Sequence, residues 1–149
     1  MECDITWQPD GMCFTARTGS GHHVTMAGPP ENGGLSSAPR PMEMVLLGTG
    51  GCTAYDVVLI LKKGRHDIRG CTVHITAQRA PQPPQVFTHI EFHFTVTGRG
   101  LNRAAVERAV QLSHEKYCSA SIMLAKTATL THTVTLIDAD AEIGGEAER

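Results

Sequence analysis

The sequence lacks an excess of basic residues. Its formal net charge is −2 at pH 7, which offers no general attraction for nucleic acid or for an anionic membrane surface. It also lacks paired cysteines. Cys3, Cys13, Cys52, Cys71 and Cys118 are odd in number, widely spaced and free of any CxxC, whereas a secreted disulfide framework usually shows an even count in a shorter chain. The opening MECDITWQPDGM has no basic stretch followed by an apolar one, so no signal peptide is expected. The longest apolar-rich stretch, Met42 to Leu61, is broken by Glu43, Asp56 and several glycines, and reads as a buried helix and not as a membrane span. HExxH and short Cys/His clusters are missing, and the run Gly48 to Gly51 has neither the GxxxxGK[ST] pattern nor a strand before it, which excludes a phosphate loop. These absences predict a soluble protein of the reducing cytoplasm, where a cysteine that matters is a reactive one.

The chain does have the makings of a single core. It has 149 residues, 41% of them hydrophobic and 19% charged, which suits one domain over residues 1–149 with a frayed acidic tail from about residue 139. Residues 4 to 27 mix short β-leaning runs, Met12 to Ala16 and His23 to Met26, with turns at Pro9-Asp10-Gly11 and Gly19-Ser20-Gly21, as in a hairpin or meander. Gly28 to Pro39 reads as a loop. A long helix over residues 41–63 is framed by Pro41 and Glu43 at its start and by Lys62, Lys63 and Gly64 at its end. Gly48, Gly50 and Gly51 interrupt it, each costing about 0.5–1 kcal/mol relative to alanine. Either the helix starts late, near Thr49, or the glycines let something approach its backbone closely; the framing favours the second.

Two alternating strands follow, Cys71 to Ala77 and Val86 to Val96, separated by a proline-rich loop. Asn102 is a good N-cap for a second helix, with Leu101 and Val106 placed as a hydrophobic staple. The helical pattern changes around Tyr117-Cys118-Ser119, a short third helix runs to about Lys126, and Thr129 to Asp138 is a last strand. The predicted class is α+β with an antiparallel or mixed sheet, and the glycine-rich helix, needing cover on more than one side, points to a partner subunit.

On a helix, Cys52 shares a stripe with Val45, Gly48, Tyr55, Asp56 and Leu59. The glycines one turn earlier leave room beside its sulfur for a small molecule or a second thiol; the plainer alternative is a buried thiol acting as a small apolar group. Cys118 sits where a helical pattern breaks, with His114 and Lys116 nearby to add positive character; it too could simply be a packed helix-end cysteine. His114 with Cys118 is also a weak match to a cysteine hydrolase. His74, His89 and His93 fall on solvent-facing sides of strands, but His89 and His93 lie roughly 13 Å apart along an extended strand, too far for one zinc ion.

The stretch PRPMEMVLLGTGGCTAYDVVLILKKGRHDI resembles the central helix of the OsmC/Ohr family, in its branch with PME…GGCTA motifs. VFTHIEFHFTVTGRGLNRAAVERAVQLSHEKYCSASIML resembles that family's second cysteine segment, and the likeness runs from about Thr15 to Asp138. The resemblance implies an OsmC-like fold, an intertwined homodimer with sheets wrapped around long central helices. It implies a thiol-dependent peroxidase acting on organic hydroperoxides, with Cys52 as the peroxidatic thiol and Cys118 as the resolving one. A dithiol such as a protein-bound lipoyl group would recycle it, and neither a tightly held organic cofactor nor a metal is implied. A binding or redox-sensing module on the same fold is the alternative. In the family an acid and an arginine hold the peroxidatic thiolate. Here the family's glutamate aligns with Met42, while Glu43 lies about 180° around the helix from Cys52. Arg17 is the nearest match to the arginine, and Arg40 is a second candidate.

Overall fold

The computed structural model describes residues 1–34 and 36–141; most of the tail expected to fray lies outside the described residues. The chain divides into two compact units, Met1–Leu47 and Gly48–Arg149.

In the first unit the turn-punctuated N-terminus forms an antiparallel meander of β1 (Cys3–Gln8), β2 (Cys13–Thr18) and β3 (His23–Ala27). Its turns use the residues that favour them. The Trp7 indole N–H donates to the carbonyl of Gly11 at 2.8 Å, and the Thr18 N–H donates to the carbonyl of His22 at 2.9 Å. The loop expected after β3 contains one 3₁₀ turn, Pro30–Asn32.

Helix α1 (Pro41–Lys63) spans the whole framed stretch, so the late start at Thr49 is excluded. Its opening is capped from within. Glu43 Oε2 accepts the Arg40 N–H at 2.8 Å, the glutamate half of a capping box. By length and composition alone α1 could cross a membrane. Within the chain Thr49, Gly50, Thr53, Val57 and Leu61 of this helix are buried. The glycines have different reasons. A Cβ on Gly50 would stand 2.7 Å from Ile75 Cδ1, so here the helix lies tightly on its neighbour. Gly48 and Gly51 have nothing within 4 Å of such a Cβ.

In the second unit the alternating segments make a mixed sheet ordered β4 (Asp67–Arg79), β5 (Phe87–Arg99), β6 (Thr129–Asp138). The first two strands exceed their expected bounds because the ladder continues past the apolar alternation, from Asp67↔Arg99 to Arg79↔Phe87. The middle strand supplies the core: Ile90, Phe92, Phe94 and Val96 are fully buried, with Val57 and Leu61 of α1. Strand β6 runs parallel to β5, which requires a crossover. That crossover consists of α2 (Arg103–Leu112), a π-helical turn (Ser113–Tyr117) and α3 (Ser119–Leu124). Asn102 caps α2 as expected, its side chain accepting the Ala105 N–H at 3.1 Å. Val106, Ala109 and Val110 bury its inner face.

Candidate active site

Cys52 sits half-buried on α1, beside the buried Thr53. Cys118 is fully buried at the junction between the π turn and α3. The fold brings the two thiols, distant in sequence, near enough for Cys52 to bear on the proton affinity of Cys118, and all five cysteines are free. The setting of Cys118 keeps its proton on. Burial is the largest cause, the neighbouring Cys52 adds to it, and together they outweigh the Ser121 N–H that its sulfur accepts at 3.4 Å. A thiol so held is a weak nucleophile at neutral pH.

The two cysteines are tied together through the backbone and side chain of Ser113. Its Oγ donates to Asp56 Oδ2 at 2.9 Å and lies 2.8 Å from Thr53 Oγ1, while its carbonyl accepts the Cys118 N–H at 2.8 Å. Sequence reasoning placed Asp56 on the Cys52 stripe but missed Ser113. The signal was present: Ser113 continues the buried stripe of Val106 and Ala109, a hydroxyl where an apolar residue is expected.

Arg17 is exposed on β2, opposite Asp4 and His23. Glu43 caps α1 through Arg40. All three belong to the first unit, whereas Cys52 and Cys118 belong to the second. Lys116 sits over the Tyr117 ring at 5.3 Å. His114 packs on Phe92 with ring centroids 4.8 Å apart and stacks on His132 at 5.2 Å. Both its ring nitrogens are buried without a hydrogen-bond partner among the described residues, and burial, helped by His132, pulls its pKa down to about 4. A neutral imidazole that makes no bond to Cys118 does not form the pair a cysteine hydrolase needs. On the outer sheet face His89 bonds Thr131, and His93 bonds Thr133 and Thr135.

A groove of about 410 Å³ runs along α1, lined by Gly51, Ala54, Tyr55, Val58, Leu59 and Cys71 among others. Burial pushes the Cys71 thiol up as well.

The profile of the OsmC-like protein family matches residues 33–133. Protein YhfA of Escherichia coli K12 is 48% identical over 139 residues, covering 93% of this chain and 100% of that one. The chain belongs to the OsmC family. A hypothetical protein from Aquifex aeolicus VF5 is similar, with a TM-score of 0.75 at 26% identity over 91% of this chain and 96% of that one. An organic hydroperoxide resistance protein from Elizabethkingia anophelis shares the fold, with a TM-score of 0.68 at 16% identity over 91% of this chain and 94% of that one. The mixed α+β class with two small sheets matches OsmC-like structures.

Proposed function

We propose that this protein is a thiol-dependent peroxidase that reduces organic hydroperoxides. The observation that carries the reading is that two free thiols distant in sequence, Cys52 and Cys118, are close enough for the first to bear on the ionisation of the second, with the buried one held protonated. In the first step the Cys52 thiolate attacks the terminal peroxide oxygen, and an S–O bond forms as the O–O bond breaks. The alkoxide leaves and takes up a proton to become the alcohol, and Cys52 becomes a sulfenic acid. In the second, the Cys118 sulfur attacks the sulfenic sulfur, the S–O bond breaks, and water departs with the thiol proton. A dithiol reductant such as a lipoyl protein then exchanges with the Cys52–Cys118 disulfide and is itself oxidised. By the family resemblance, Arg17 or Arg40 would have to supply the positive charge that holds the thiolate.

The acting form would be an intertwined homodimer in the cytoplasm, with long central α1 helices packed together inside the sheets. The exposed Leu47 (61%) and Tyr55 (67%) of α1 support such cover, and five free cysteines suit a reducing compartment. The apolar groove beside α1 favours a second reading, a small-ligand binding or redox-sensing module.

One equivalent of cumene hydroperoxide is expected to give an intramolecular disulfide, seen by intact mass as the loss of two hydrogens and mapped by peptides to Cys52 and Cys118. Cys52→Ser should abolish turnover, and Cys118→Ser should react once and then overoxidise. Wild-type protein that consumes neither alkyl hydroperoxide nor hydrogen peroxide with excess dithiol would leave only the binding reading, which native mass spectrometry with a bound small molecule would support.

A further inference from the structure

We propose that Ser113 is a positioning residue that holds Cys118 against Cys52 for disulfide closure; as a statement about resolution, this rests on the peroxidase reading above. Every polar group of Ser113 is committed. Its N–H donates to the carbonyls of Ala109 and Val110, its carbonyl accepts from Cys118, and its hydroxyl lies between Thr53 and Asp56. A carboxylate only accepts, so the hydroxyl proton of Ser113 points to Asp56 and Thr53 must donate to Ser113. The relay Thr53→Ser113→Asp56 therefore has one direction, and two of its members flank Cys52 on α1.

The backbone carries the other half. The bond from the Cys118 N–H to the Ser113 carbonyl spans five residues, the spacing of a π turn. An α-helix would have continued past this point. The extra residue in the turn ends the helix at Cys118, whose extended backbone (φ −76°, ψ 100°) lets its sulfur reach both α3 and Cys52. One fully buried serine thus anchors the segment bearing one thiol to the helix bearing the other. Ser113 touches neither peroxide nor the breaking S–O bond. It sets how often Cys118 stands in reach, an effective concentration in the sense of tethered reactants.

The first test needs no peroxide. Equilibration of the full-length protein in glutathione redox buffers reads the effective concentration of Cys118 toward Cys52. Ser113→Ala is expected to lower it about tenfold, a rise of about 30 mV in the disulfide potential. Asp56→Asn, which keeps an acceptor, should stay within about threefold of wild type. The second test uses cumene hydroperoxide without reductant. Ser113→Ala should form the Cys52 sulfenic acid, trapped by dimedone, within about twofold of the wild-type rate, while its sulfinic fraction rises about tenfold. A folded Ser113→Ala protein with an unchanged potential overturns the proposal, as does one slowed equally in both steps. If Ser113→Ala does not fold by circular dichroism, Asp56→Ala is read against the same outcomes. Loss of peroxide reactivity in the wild type with a shifted Ser113→Ala potential would remove the peroxidase reading and leave the anchor standing.

Discussion

At the scale of single residues, burial sets proton affinity. Cys118 is kept as a thiol by burial and by its neighbour, and in the proposed reaction it would wait while Cys52 met the oxidant. His114 shows the same physics without chemistry. Its neutral form is favoured because the ring is buried on Phe92 and stacked on His132. The unfolded chain binds a proton there near pH 6.5, while the folded one resists until about 4. Stability from this residue is therefore complete above pH 6.5 and is lost as pH falls toward 4. The loss is about 2 kcal/mol after allowing for the ring's partial exposure. Urea melts between pH 7 and pH 4 are expected to show it, and His114→Phe should flatten that stretch of the curve; an unchanged slope would mean that the buried ring does not resist protonation.

At the scale of elements, legibility followed periodicity. Helix α1 was readable end to end because proline, glutamate and lysines marked its limits. The strands were readable where Val73, Ile75, Phe92 and Phe94 alternate with polar neighbours. The π turn was not. Its residues keep helical spacing through Ser113, so the break was placed at Tyr117 although the altered bonding starts earlier; a one-residue change in hydrogen-bond spacing leaves no mark in composition. The site was legible in the same measure. Cys52 and Cys118 stood out by motif, whereas Ser113 needed the fold to bring it to Thr53 and Asp56, because such contacts join residues far apart in the chain. Gly51 belongs to this scale too. It has open space around it in the single chain and lies one turn from the exposed Tyr55. Alanine there should favour the helix by about 0.5–1 kcal/mol, yet in the proposed dimer it should weaken association. Gly51→Ala is expected to raise the dimer dissociation constant in sedimentation; a gain in stability independent of concentration would show that face to be free.

At the scale of the whole molecule, the proposed dimer gives a direct measurement. Native mass spectrometry is expected to find twice the 16.0 kDa chain mass, and Tyr55→Asp, which puts a charge on the exposed face of α1, should shift it to the single chain. A persistent wild-type monomer would remove the intertwined assembly. The parallel pairing of β5 with β6 has its own consequence for biogenesis. The stretch carrying Cys118 is strung between two adjacent rungs of one sheet, so it finds its place only after the last strand has zipped on. A nascent polypeptide caught by oxidant before that moment would offer several sulfurs with no rule for choosing among them. In the proposed peroxidase, correct bridging of Cys52 to Cys118 would thus depend on the finished sheet, and a burst of peroxide during synthesis would scramble newcomers while sparing mature copies.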